Sequence, residues 1–261
     1  MRSLSIASTG MLAQQLNVEV ISNNIANMNT TGYKRQRAEF QDLLYQNLRR
    51  IGSASSDSGT IVPSGVQLGA GVRASAVYRI TEQGNLTSTS NPFDLAINGE
   101  GYFRIQLPSG EDAYTRAGAF SVDPQGQLVT QDGYVVSPGI TIPTDAIDVA
   151  INTSGTVEVK LSGQSTPQNV GQLELAIFPN AAGLEAIGDN LFLETPASGA
   201  PQTGVPGSTG YGDLRQGFLE TSNVNPVQEV TNLIAAQRAY EMNSKVISTS
   251  DEMLAQVTQL R

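Results

Sequence analysis

The sequence predicts an α+β protein in which long terminal helices enclose a β-rich middle. Two observations carry this. Both ends are poor in glycine and proline and repeat apolar or small residues at spacings of three and four. Between them lie many short strand-like runs separated by turn residues. The expected division is residues 1–30 with 225–261 as a coiled-coil-like helical unit. Residues 31–72 with 214–224 form an extended connecting region, and 73–213 an antiparallel β domain of barrel or sandwich type.

The N-terminal helix is expected over Ser3–Met28, which holds no Pro and one Gly, Gly10. Its seam is Leu4, Ala7, Met11, Val18, Ile21, Ile25 and Met28, with Gln14 as a polar exception. Glycine in a helix interior costs about 1 kcal/mol relative to alanine, so Gly10 stands out. Asn29-Thr30-Thr31-Gly32 supplies the stop. Gly52–Gly71, rich in Ser and Gly, reads as an extended connection, as does Pro196–Gly212.

In the middle, strand-like runs are Phe93–Asn98, Gly101–Leu107, Gln127–Thr130, Gly133–Val136, Thr156–Leu161 and Gly171–Phe178. Turns are expected at Pro108-Ser109-Gly110, Asp123-Pro124-Gln125-Gly126, Asp132-Gly133 and Asn152-Thr153-Ser154-Gly155.

The C-terminal helix has a clear start. Asn225 is a good cap, Pro226 fits the first helical position, and Gln228 sits where a capping box places Gln or Glu. No Gly or Pro follows to Arg261. A heptad seam runs through Leu233, Ala236, Tyr240, Asn243, Ile247, Ser250, Leu254 and Val257. A second row, Val246, Met253 and Leu260, makes the apolar stripe wider than a two-stranded pair requires. Two helices alone leave much of this surface bare, so the ends are expected to order when neighbouring copies cover them. A surface that meets a different surface on the next copy, without closing into a ring, generates a helical filament.

Charge and residue types exclude several classes. The net charge is −9, and Arg73–Asp213 alone holds 5 basic and 15 acidic residues, which disfavours binding along a nucleic-acid backbone. The chain has no His and no Cys, which removes histidine-based triads, thiol nucleophiles and the usual zinc ligands. Glu111-Asp112 could act as an acid–base pair but sits at a turn, where solvated charges are the rule. Gly69-Ala70-Gly71 and Gly99-Glu100-Gly101 do not continue into phosphate loops and are explained by tight turns. No cofactor or metal site is expected. No apolar run approaches the ~20 residues that span a bilayer, and Met1–Gln15 does not read as a cleavable leader. The basic group Lys34, Arg35, Arg37, Arg49 and Arg50 reads as a solvated face, or as a patch meeting the acidic β domain of an adjoining copy. Tyr33, Tyr240, Asn23, Asn24 and Asn243 read as inter-helix hydrogen-bonding residues that set register.

The motifs add a resemblance. Met11-Leu12-Ala13-Gln14-Gln15, Ile21-Ser22-Asn23-Asn24-Ile25-Ala26-Asn27 and Asn29-Thr30-Thr31-Gly32-Tyr33-Lys34 resemble the N-terminal signature of bacterial flagellar rod and hook proteins. Ser222-Asn223-Val224-Asn225, Ala236-Gln237-Arg238-Ala239-Tyr240-Glu241 and Asn243-Ser244-Lys245 resemble the C-terminal one. Gly84-Asn85-Leu86 through Phe103 is similar to the central region of that family. The stretch Ile61 to Arg73, with Ile61, Val62, Pro63 and Val66 as its anchors, resembles an insertion of the family's distal-rod branch. The resemblance implies a helical homopolymer with the paired helices innermost, a connecting layer, and the β domain outside. It implies export through the flagellar type III apparatus without a cleaved signal, and a place in the basal body across the periplasm. The implied partners are other rod proteins, the hook protein and the surrounding P and L ring proteins; the implied role is a drive shaft. Other readings are another axial subunit, proximal rod or hook, and a secreted β-domain adhesin or glycan-binding module.

Overall fold

The computed structural model describes residues 2–49, 64–163 and 166–259, and the side chains of Arg49 and Val257 also fall outside the description. The chain folds as two compact units. One comprises Met1–Ile25, Gln36–Tyr78 and Pro226–Arg261; the other comprises Ala26–Arg35 and Arg79–Asn225.

The first unit is built on two helices, α1 (Arg2–Ala26) and α2 (Pro226–Gln259). Both fall within two residues of their sequence signals. The start of α2 at Pro226 follows from the ring's fixed φ and its missing N–H, which the first helical turn does not need. Gln228 bonds forward, its Nε2 donating to Asn232 Oδ1 at 3.0 Å. The helices run antiparallel and share a fixed register. Ser250 Oγ donates to Ser3 Oγ, Gly10 lies against Asn243, and Asn24 Nδ2 donates to Glu229 Oε2. Each step of seven along α1 is thus matched by a step of seven back along α2.

The same unit holds two strand pairs. Gln36–Asp42 pairs with Val72–Arg79, and Tyr45–Arg49 pairs antiparallel with Val66–Gly69. Gly71 links them, its carbonyl accepting from the amide of Leu43 at 2.9 Å. Its φ of +115° is a glycine conformation, and a β-carbon there would collide with the Thr9 hydroxyl of α1. Its backbone conformation and the close approach of Thr9 account for this glycine, where the sequence suggested a tight turn.

The second unit is built of β-strands, with one short 3-10 turn at Ala181–Gly183 among the described residues. Its largest sheet has nine strands. Glu185–Gly188, Leu191–Leu193, Asp112–Thr115, Tyr102–Gln106, Val135–Val136, Leu128–Val129 and Ser121–Val122 follow one another, and Leu175–Ile177 joins Tyr102–Gln106 to Gln202–Gly204. Ala146–Ile151, Thr156–Leu161 and Gln168–Gln172 form a second, three-stranded sheet. Asp213–Gln216 pairs with Leu95–Asn98, and Phe218–Glu220 with Leu86–Ser88. One apolar cluster serves all but the last of these pairs, including Leu95, Phe103, Phe120, Val159, Leu175 and Leu214. Phe103 and Phe120 meet edge-on within it, 5.0 Å between ring centres.

The architecture is therefore α+β, with the terminal helices packed together and a β-rich unit. Among the described residues no sheet closes into a barrel. The strand expected over Gly171–Phe178 is two strands belonging to different sheets, because the chain crosses over at Leu173-Glu174. The hairpin of Glu185–Gly188 with Leu191–Leu193 was not expected; Asp189 and Asn190, at φ of 53° and 58°, form its two-residue turn.

Candidate assembly surface and interlocked neck

The predicted seam of α1 divides by burial. Ala7 and Ile21 are buried, Leu4, Met11, Val18 and Ile25 are half-buried, and Met28 lies beyond the helix and is exposed. In α2, Ala236 and Ser250 are buried and Leu233, Asn243, Ile247 and Leu254 are half-buried. Tyr240 is the departure, 44% exposed. The side chain of Val257 lies outside the description. Of the insertion residues, Ile61, Val62 and Pro63 fall outside the described residues, and Val66 is exposed at the start of its strand.

The inter-helix contacts run along a line of small and polar residues that lies beside the predicted seam in α1 and on it in α2, at Asn243 and Ser250. This line explains Gly10, whose missing side chain admits the Asn243 amide. It also contains Asn24, expected as an inter-helix hydrogen-bonding residue, and Glu229, which was not expected; both are buried. Asn24 is a hub. Its Nδ2 donates to the carbonyl of Gln36 and to Glu229, and its Oδ1 accepts from the amide of Gln36 at 2.8 Å. The signal for Glu229 was present in the heptad spacing that relates it to Asn243. An apolar periodicity search passes over it, because the residue is polar.

Large apolar side chains remain in solvent on the same helices. Leu12 is 64% exposed in α1, and Val227, Met242 and Met253 are 77%, 64% and 59% exposed in α2. Val246 and Met253, predicted as the second row, are both exposed. No helix among the described residues is long and apolar enough to cross a membrane, and no cluster of potential metal ligands occurs among them.

A second site, the neck, lies wholly within the β unit, where the segment Ala26–Arg35 meets the strand Phe218–Glu220. Glu220, 1% exposed, accepts from Lys34 Nζ at 2.6 Å and from Arg116 Nε at 2.6 Å. Arg116 also donates to the carbonyls of Gly99 and Gly101 at 2.6 Å and of Ile97 at 3.1 Å. Lys34 Nζ donates to the carbonyl of Glu82 at 2.8 Å. Lys34 is thus not part of a solvated basic face: it is buried and paired within its own chain. Arg35 and Arg37 remain in contact with solvent. Burial works to raise the Glu220 pKa, but the Arg116 guanidinium and Lys34 ammonium overcome it and hold the carboxyl below its ordinary value. Burial pushes Lys34 down from its ordinary value despite Glu220. The two directions agree physically, since one carboxylate serves two cations: Glu220 gains from both, while Lys34 shares its counter-ion with Arg116.

The comparisons match these features segment by segment. Residues 4–34 match the Flagella basal body rod protein family, residues 96–159 the Flagellar hook protein FlgE/F/G D1 domain, and residues 215–260 the Flagellar basal body rod FlgEFG protein C-terminal family. Lys34, Arg116 and Glu220 come one from each. The chain is 66% identical over 261 residues to a flagellar basal-body rod protein FlgG of Caulobacter vibrioides, covering 100% of both chains. It is 55% identical over 258 residues to the FlgG of Agrobacterium fabrum, covering 99% of this chain and 98% of the other. The FlgG of Borreliella burgdorferi is 48% identical over 263 residues, covering 100% of this chain and 99% of the other. With its paired terminal helices, its β unit and the contacts that join the matched segments, the chain belongs to the flagellar basal-body rod protein family.

Proposed function

We propose that this chain is a non-enzymatic subunit of the flagellar distal rod, polymerising helically into a stiff shaft that carries torque from motor to hook. The observation that carries the assembly step is the set of exposed apolar side chains on α1 and α2. Leu12, Val227, Met242 and Met253 are large, apolar and bare in the single chain, and a helix face of this kind is covered in the stable state of a protein. The full-length relatives, all named as rod proteins, supply the class of structure.

In this reading residues 1–30 and 225–261 line the tube in coiled-coil-like packing. Residues 31–72 and 214–224 form the connecting layer, and the β domain of 73–213 faces outward. The subunit travels through the type III export apparatus to the periplasm, joins other rod proteins and the hook protein, and turns inside the P and L rings. The segment Ile51–Gly71 acts as a lock between neighbours. Its described part supports this, because Val66 and Leu68 are exposed on a strand paired with Tyr45–Arg49, where Leu48 is exposed too. Deleting residues 51–63 is expected to give a more flexible polymer, and straight rods of unchanged stiffness would refute the lock.

Amide hydrogen exchange on monomer and polymer tests the assembly reading. Residues 2–25 and 226–259 are expected to exchange fast in the dilute monomer and to be protected in the polymer. Equal protection in both, with no polymer forming at high concentration, would overturn it.

A further inference from the structure

The connector Ala26–Arg35 is held on the β unit from two sides: Ile80 donates its amide to the Arg35 carbonyl at 2.9 Å and the Glu82 carbonyl accepts from Lys34, while other bonds come from the far end of the chain. The amide of Gly32 donates to the carbonyl of Glu220 at 2.8 Å, and the amide of Arg35 donates to Asn223 Oδ1 at 2.7 Å. Lys34 reaches the Glu220 carboxylate, 186 positions away. Gly32 is seated so tightly that a β-carbon there would stand 2.8 Å from the Arg116–Ala117 backbone. Glu220, by contrast, is placed without the connector. Its strand Phe218–Glu220 pairs with Leu86–Ser88, its Oε1 accepts from the amide of Gly84 at 2.8 Å, and its Oε2 is taken by Arg116. Arg116 is itself fastened to three carbonyls of the β unit.

This asymmetry dictates an order. If the connector docks before Phe218–Glu220 arrives, Lys34 comes to stand beside Arg116 without the carboxylate that both share. Two like charges brought together without their counter-ion are unfavourable, and the more so as the site loses water. We propose that Lys34 and Glu220 form a closing latch: the connector docks last, and only on a β unit whose final strand is already in place. Charge conflict with Arg116 is what keeps the connector off until then. The inference is independent of how the subunits assemble.

Pulsed hydrogen exchange during refolding of the full chain from urea tests it. Peptides spanning Thr156–Leu161 and Phe218–Glu220 are expected to gain protection before the amides of Gly32 and Arg35. Protection of Gly32 and Arg35 together with, or ahead of, Phe218–Glu220 would overturn the latch. Lys34→Met, which retains the Arg116–Glu220 pair, removes the charge conflict, so connector protection is expected to move earlier. Unchanged timing in that variant would also overturn it. In the native state, Glu220→Gln is expected to accelerate exchange at Gly32 and Arg35 by at least about a hundredfold. Adding Lys34→Met to Glu220→Gln is expected to recover at least about tenfold, since one unpaired cation is then gone. Failure of the second change to slow exchange would count against the charge mechanism.

Discussion

A β-carbon placed on Gly10 of α1 would stand 2.9 Å from Nδ2 of Asn243 in α2, so the glycine is the space into which the opposing amide fits. Gly10→Ala gains up to about 1 kcal/mol of helix propensity but displaces that amide, and the two effects are expected to offset each other. Pairing Gly10→Ala with Asn243→Ala makes room and is expected to release the gain. Gly10→Leu drives the helices apart and is expected to destabilise the pair by about 1–3 kcal/mol. The urea midpoint for dissociation of the polymer, followed by helical circular dichroism, reads all three.

Asn24 stitches α1 to α2 and to the chain at Gln36. Asn24→Ala leaves the Gln36 amide and the buried Glu229 carboxylate each short of a partner, at about 1–3 kcal/mol for each such group. Asn24→Asp keeps the acceptor for the Gln36 amide but sets a carboxylate against Glu229. It is expected to be as harmful near neutral pH and to recover when the pH is lowered to the carboxylate range.

The neck should show its charge in acid. Glu220 titrates below an ordinary carboxyl because Arg116 and Lys34 outweigh its burial. The folded protein thus binds this proton less readily than the unfolded chain. Its contribution is complete above the ordinary carboxyl pKa of about 4.3 and is lost as the pH falls through the lower folded value. The stability gap between the native chain and Glu220→Gln is expected to be largest at pH 6 and to narrow below pH 4. Chemical denaturation across that range measures it, and a gap independent of pH would show that Glu220 acts without its charge.

Met253 is 59% exposed on α2 and stands apart from the inter-helix line. Met253→Glu is therefore expected to leave the β unit and its folding unaltered while blocking polymer formation. Sedimentation of assembled material reads the block to polymer formation, and near-ultraviolet circular dichroism of the tyrosines reads the folding of the β unit. Thr258→Glu, on an exposed polar position of the same helix, serves as the control that keeps assembly intact.

Much of this fold is legible in the sequence. The end of α1 and the start of α2 follow from glycine, proline and cap residues, which act locally. The four turns do too: Gly110, Gly126, Gly133 and Gly155 all take positive φ, and each amide closes its turn onto the residue three before it. What local chemistry leaves open is pairing. Periodicity located the helical stripes, yet the line of contact passes through Gly10, Asn24 and Glu229, because small and polar residues permit close approach. Lys34 looked solvated among arginines, since its partner lies 186 positions away and no local pattern announces it. Gly171–Phe178 read as one strand because its apolar alternation continues across the point where the chain changes sheets.

The shared carboxylate at the neck also limits how such proteins can be recombined. Lys34, Arg116 and Glu220 come from three separate stretches of sequence, but they pack as one group. A graft that carries only residues 96–159 from a relative imports Arg116 while keeping the host's Lys34 and Glu220. Any difference in position or charge between the parents then falls on a buried site. Chimeras that exchange all three stretches together keep the set intact, so the natural module for transplantation is discontinuous in the chain.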